Sequence, residues 1–227
     1  MKVFAVNGSP RMDKGTTAAV LNPFLDGMEA AGAQVLRHDT SKMSILPCQG
    51  CFACSINQTD ACWQQDDLTE LYAELIDADV WVFGTPVYVS GMTGPLKTLI
   101  DRLLIPLGEP RLSLVDGHCH HSMRSDVKKG QIILVSSCAY WELDNFDLLI
   151  AQIEALCGHA ERNFAEKLLR PHAAAFQAML GSGGPADDVV QAAREAGKLF
   201  VESGTVPESV LDRVQQPLLP LEAYVGG

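Results

Sequence analysis

Four of the chain's seven cysteines fall in one stretch, PCQGCFACSINQTDAC, which runs from Pro47 to Cys62. Cys48, Cys51 and Cys54 are separated by two residues each, and Cys62 follows after seven more. Thiolates are soft ligands that suit zinc and iron–sulfur clusters. Disulfide staples, a zinc site and a cluster all fit such a group. Zinc ribbons tend to place two C-x2-C pairs apart, whereas here the first three cysteines share the close cadence of cluster-binding loops. Gly50 relaxes the backbone between the first two, and SINQTDA supplies slack before the fourth. The other thiols read differently. Cys157 sits on an apolar helical face and is expected in the core. Cys119 lies in HCHH, His118 to His121, a tract able to bind zinc or nickel but read more simply as a solvated loop.

A second group has phosphate chemistry. NGSPRMDKGTT, Asn7 to Thr17, closes an apolar run and opens a helix. It offers hydroxyls at Ser9, Thr16 and Thr17, a guanidinium at Arg11 and a flexible Gly15. Free N–H groups at a helix start attract anions, and hydroxyl and guanidinium donors strengthen such a site. A Walker loop needs glycine and then lysine where this chain has Asp13 and Lys14, and a dinucleotide fingerprint needs a third glycine beside Gly8 and Gly15.

The elements that must position these groups are legible. KVFAV (Lys2 to Val6), AQVLRHD, DVWVFGTP and QIILVSS read as strands, and a fifth is expected within 161–176. Helices are expected from Thr16 to Gly32, with Thr16 or Thr17 as cap and a kink at Pro23. Others are read over DDLTELYAELIDA, TGPLKTLIDRLL, NFDLLIAQIEALC and ADDVVQAAREAGKLFVES. Residues 105–130 read as a loop-rich insertion, and 205–227 as a Pro-punctuated tail with no obvious core face. Regular alternation of strand and helix implies a parallel sheet covered on both faces. Such sheets bind ligands beyond their strands' carboxyl ends, so function narrows to loops 7–17, 39–65, 84–92 and 136–142.

A length of 227 residues and 47% hydrophobic content suit one large domain, 1–204, with the cysteine loop 47–63 inserted and the tail packed on it or on a neighbouring subunit. Seventeen basic against twenty-eight acidic residues, a formal charge of −11, argue against nucleic acid and anionic membrane as partners. No apolar run is long enough to span a bilayer, and the N-terminus lacks a signal-peptide pattern. A cytoplasmic location is therefore expected, which disfavours disulfides.

GSPR followed by a threonine-bearing helix start is similar to the flavodoxin-like NAD(P)H-dependent FMN reductases. The resemblance implies a doubly wound five-stranded parallel sheet of order 2-1-3-4-5. It implies FMN, its phosphate held by Ser9, Arg11, Thr16 and Thr17, with Gly15 standing where the family often has asparagine. GTPVYVSGMTGPLK resembles the second FMN loop, so Pro86, Val87, Tyr88, Val89, Ser90, Gly91 and Met92 are expected along the flavin ring. A flat ring suits an apolar, rigid edge, and Tyr88 either stacks on it or packs in the core. Ser137, Cys138, Ala139 and Tyr140 fall where the family has its third FMN loop, with Trp141 either a lid or a packed aromatic. Lys97, Asp101 and Arg102 also match, although Lys97 and Asp101 read physically as an i, i+4 surface pair.

The cysteine pattern resembles the iron–sulfur flavoproteins, a branch of the same family. That implies a 4Fe–4S cluster on Cys48, Cys51, Cys54 and Cys62 beside the FMN. The expected function is redox: electrons pass from a ferredoxin-like donor through FMN to a small-molecule acceptor, in a homodimer or homotetramer. A cluster-free NAD(P)H-dependent FMN or quinone reductase is the alternative, and a non-catalytic zinc module a third.

Overall fold

The computed structural model describes residues 1–57, 62–115 and 117–226, apart from the side chains of 104 and 105. Its first half runs β1 (Lys2–Asn7), α1 (Thr16–Ala30), β2 (Gln34–Asp39), α2 (Ala53–Ile56), α3 (Leu68–Asp77), β3 (Val80–Pro86) and α4 (Gly94–Leu107). The second half runs β4 (Ser113–Val115), β5 (His118–His120), β6 (Gln131–Ser137), α5 (Asp147–His159), β7 (Asn163–Arg170), α6 (Ala173–Met179), α7 (Pro185–Ser203), α8 (Glu208–Gln215) and α9 (Leu221–Val225).

Strand side chains alternate between faces, and here both faces are apolar. Val3, Ala5, Val80, Val82, Ile133 and Val135 point into one core with Phe24 of α1 and Phe200 of α7. Phe4, Val6, Trp81, Phe83, Ile132 and Leu134 point into the other with α3, α4 and α5. Two buried faces favour parallel pairing with helical crossovers. The sheet order is β2-β1-β3-β6-β7, all parallel, which is the expected order once the separate β4–β5 hairpin is set aside. In that register Asn7 stands beside Asp39 and Gly84, and Ser137 beside Pro86 and Arg170. The strands therefore deliver their carboxyl-terminal loops to one rim.

Three expectations need correction. Gly15, extended at φ −86° and ψ 150°, is the cap of α1, and neither Thr16 nor Thr17 makes a side-chain cap bond. Residues 105–130 contain the hairpin as well as loop. The tail does have a core face: Val206, Val210, Val214 and Leu218 are buried against α7 and β7. Their spacing of four is a helical stripe partly hidden by Pro207 and Pro217. Lys97 and Asp101 form the expected exposed i, i+4 pair.

α1 and α7 pack through glycine. A Cβ at Gly197 would lie 1.9 Å from the Phe24 carbonyl oxygen, and one at Gly27 would lie 2.0 Å from that of Arg194. Backbone cannot yield as a flexible side chain can. Gly197→Ala is therefore expected to cost about 1–3 kcal/mol through overpacking, against the ~1 kcal/mol gain alanine brings to an uncrowded helix. Urea unfolding measures the sign, and a raised midpoint would contradict the contact.

Candidate active site

The loop after β1 is built by its own side chains. The Asn7 side-chain oxygen accepts from the Ser9 N–H (3.1 Å), while its amide donates to Asp39 (2.9 Å). This local bond turns the chain sharply. Ser9 Oγ then accepts from the Arg11 N–H at 3.4 Å. Gly15 is crowded, since a Cβ there would sit 2.5 Å from Ser9 Oγ and would make that side chain turn. An asparagine at this position would push Ser9 away, so the backbone alone faces the cleft there. The Thr17 and Ser137 hydroxyls lie 2.7 Å apart. A hydroxyl donates once and accepts twice, so Ser137 can donate to Thr17 and leave the Thr17 proton free for an anion. Arg11 is exposed, and no acidic partner is found for it among the described residues.

These groups form one end of a cleft of about 460 Å³, within the roughly 300–1,000 Å³ typical of small-molecule sites. Ser9, Arg11, Gly15, Thr16 and Thr17 line it together with Pro86, Val87, Tyr88, Ser137 and Ala139. Its remaining wall is α6 and its lead-in, with Ala173, Ala174, Gln177 and Ala178. Sequence reading missed that wall, and a run of three alanines carries little signal. Hydrogen-bond donors at one end and an apolar slot at the other fit a phosphorylated planar ring. Tyr88 is 50% exposed at the rim, which decides against the core role.

The other expected residues do not line the cleft. Met92 and Cys138 are buried in the core beneath α4 and α5, and burial pushes the Cys138 thiol up. Val89 and Ser90 form the tip of a tight turn, with Tyr88 and Gly91 exchanging backbone hydrogen bonds of 2.8 and 3.1 Å. Both tip residues have positive φ, 46° and 66°, which suits a type I′ turn but strains a β-branched valine. Tyr140 is exposed, and Trp141 is a packed aromatic stacked on His172 at 3.9 Å.

His172 joins the third loop to α6. Arg170 donates to its Nδ1 (3.1 Å), so Nε2–H donates to the Trp141 carbonyl (2.9 Å) and the ring is neutral. Burial, then the charge of Arg170, lower its pKa; the Trp141 carbonyl and Glu142 act oppositely without prevailing.

None of the seven cysteines forms a disulfide, which argues against the staple reading. The cysteine loop is held at its two ends. Arg102 and Asp66 form a buried ion pair, 1% and 5% exposed. Arg102 also donates to the carbonyls of Leu46 (3.0 Å) and Gln64 (3.2 Å), and Asp66 accepts from the Leu46 N–H at 2.9 Å. Burial works to raise the Asp66 carboxyl, but Arg102 and the Leu46 N–H outweigh it and hold it low. Sequence reading quoted Arg102 without a role; a basic residue within an apolar helix run was the available signal.

Between those ends, Gly50 (φ 63°) and Phe52 (φ 54°) take left-handed turns. Cys51 accepts from the Ala53 N–H and from the Trp63 indole N–H (3.2 Å), which lower its pKa. Cys54 is raised by burial first, with Cys62 and Cys51 adding to it. An all-thiol donor set suits a cluster chemically, but no three His, Cys, Asp or Glu side chains converge on a metal position among the described residues. That statement covers the His118–His121 tract, where His120 meets Glu161 and His121 meets the Glu109 carbonyl. Of the expected slack SINQTDA, Ser55 and Ile56 instead close the short helix α2, and residues 58–61 lie outside the described residues.

Fold and cleft together define a flavodoxin-like α/β protein with a small-molecule cleft at its sheet's carboxyl rim. The NADPH-dependent FMN reductase family matches residues 1–114, half of the chain, and the chain belongs to that family. It is 44% identical over 102 residues to an iron–sulfur flavoprotein of Methanocaldococcus jannaschii, covering 45% of this chain and 50% of that one. It is 34% identical over 102 residues to one from Archaeoglobus fulgidus, covering 45% and 48%. The chain thus spans about half the length of the curated relatives it matches. An NAD(P)H:quinone oxidoreductase from Methanothermobacter marburgensis shares the fold at TM-score 0.61 and 17% identity, over 88% of this chain and 96% of that one.

A neutral buried His172 implies a pH dependence. Its folded pKa lies below its unfolded value, so its contribution to stability is complete above about pH 6.5 and is lost as pH falls through the folded pKa. Urea unfolding at a series of pH values should show a decline below that point which flattens in His172→Gln.

Proposed function

We propose that the chain is an FMN-dependent oxidoreductase carrying a 4Fe–4S cluster on Cys48, Cys51, Cys54 and Cys62, and that it moves electrons between a ferredoxin-like donor and a small-molecule acceptor. One observation carries the flavin half: ten residues from three separate loops, singled out as FMN contacts, line a single cleft. The cluster half rests on the thiol spacing and on relatives named iron–sulfur flavoproteins. FMN, when bound, accepts and releases one or two electrons, and a cluster accepts and releases one.

The chain's own residues bind and exclude. Arg11, Ser9, Thr16, Thr17 and the first N–H groups of α1 hold the phosphate. Pro86, Val87, Tyr88 and Ala139 hold the ring between apolar surfaces and keep water from its faces. Arg102 and Asp66 fix the ends of the cysteine loop.

A cluster-free NAD(P)H-dependent reductase is the second reading, supported by the family match over residues 1–114. No helix among the described residues is long and apolar enough to cross a membrane, and cysteines without disulfides suit a reducing compartment such as the cytoplasm. The exposed rim residues Tyr88, Val89, Tyr140 and Leu148 support a homodimer or homotetramer.

Purification without oxygen, an absorption spectrum and assays of iron, sulfide, zinc and flavin separate the readings. Iron, sulfide and flavin together are expected; flavin alone supports the second reading, and zinc without flavin rejects both. Cys51→Ala should abolish iron and sulfide while FMN stays bound. Arg11→Ala should weaken FMN by about tenfold or more, the loss of one charge-assisted hydrogen bond. Equilibrium titration of the apoprotein measures it, and unchanged affinity would reject the phosphate assignment.

A further inference from the structure

Arg170 ends β7 fully buried, and no carboxylate pairs with it among the described residues. Beyond His172, its guanidinium donates to the carbonyls of Pro171 (2.6 Å), Val214 (2.8 Å) and Gln216 (2.9 Å). The last two lie at the carboxyl end of α8, where the unpaired carbonyls and the helix dipole are negative. The helix end thus serves as the counter-charge of Arg170 and locks the tail to β7.

From that anchor the chain returns to the cleft. Leu218 is buried, Pro220 opens α9, and the Tyr224 hydroxyl donates to the Ala139 carbonyl. The Tyr224 ring also stands 5.7 Å from His172 and 6.1 Å from Trp141. Ala139 lines the cleft. Its loop is gripped on its other side by β7 and α6: the Cys138 N–H donates to the Arg170 carbonyl (3.0 Å), and the Ala173 N–H to the Cys138 carbonyl (3.0 Å).

We propose that the segment from α8 to α9 is a positioning part of the flavin site, anchored by Arg170, in which Tyr224 fixes the Ala139 loop and so sets how tightly the ring is held. The inference rests on the FMN reading above. Tyr224 acts on the ring end and Arg11 on the phosphate end, so the two are separable by ligand. The experiment compares the full-length apoprotein with Tyr224→Phe and Tyr224→Ala, titrating FMN and riboflavin by flavin fluorescence.

One hydrogen bond of about 1 kcal/mol corresponds to a roughly fivefold loss. Tyr224→Phe should lose that factor equally for FMN and riboflavin, and Tyr224→Ala should lose more. Arg11→Ala should weaken FMN alone. Amide exchange at residues 138–141 should quicken in Tyr224→Phe while the urea midpoint of the apoprotein stays put. Wild-type affinity in Tyr224→Phe, or a loss only in step with a lowered midpoint, overturns the clamp and leaves the FMN reading standing. Failure of the unaltered chain to bind either flavin overturns both.

Discussion

Polar groups buried where three parallel strands end must find partners within the protein, and the cleft takes its shape from how they do. The Gly8 N–H donates to the Gly84 carbonyl (2.6 Å), and the Thr93 hydroxyl donates to the Gly8 carbonyl (2.7 Å). The Thr93 N–H donates to the Thr85 hydroxyl (3.1 Å), and the Ser136 hydroxyl to the Thr85 carbonyl (2.7 Å). With Asn7 and Thr17 added, the loops after β1, β3 and β6 are stitched to one another before any ligand is considered. A buried donor or acceptor left unpaired costs about 1–3 kcal/mol. Each loop is therefore held by several such penalties at once. The site is preorganised, so binding need not order the loops.

Outside that rim, irregular segments are held by arginine. Arg102 gathers the two ends of the cysteine loop, Arg170 gathers the tail, and Arg162 gathers the Ala78 and Lys128 carbonyls (2.9 and 2.6 Å) while lying 3.8 Å over the Trp81 ring. A guanidinium has five donors in a fixed fork, so one side chain can satisfy carbonyls from segments far apart in sequence. Of these three, only Arg102 pairs with a carboxylate among the described residues, that of Asp66. Burial pushes Arg162 and Arg170 down to about 10, which leaves both charged at neutral pH. In a chain of net charge −11, the buried charges that organise the loops are largely positive.

The fold was readable because both sheet faces are apolar: KVFAV, DVWVFG and QIILV admit few alternatives. Loop chemistry was readable wherever one residue type has one local use, as with Asn7, Gly8 and Gly15. Tertiary partners were not. Nothing local says that Met92 and Cys138 turn into the core while Val87 and Ala139 face the cleft, because that depends on α4 and α5. The αα contact through Gly27 and Gly197 looks in sequence like two poor helix positions. α6 was invisible because alanine makes good helix anywhere and announces no face. The tail stripe was legible at a spacing of four, but prolines at 207 and 217 disguised it.

The cysteine loop and the cleft are linked by a single rigid element. α4 begins at Gly94, just past the second flavin loop, and Arg102 lies eight residues along it. At about 1.5 Å per residue, the loop's anchor stands about 12 Å along the helix axis from the start of α4. A shift of the loop's ends would require breaking the Arg102–Asp66 pair, and opening a buried pair costs roughly 3–5 kcal/mol. The ends are therefore fixed relative to the cleft, whatever the thiols between them hold. Adjustment of the thiols falls to Gly50 and Phe52, two left-handed residues that already bend the chain. Such a loop can rearrange its thiols without disturbing the cleft, and for that reason loss of a single cysteine should leave the cleft intact.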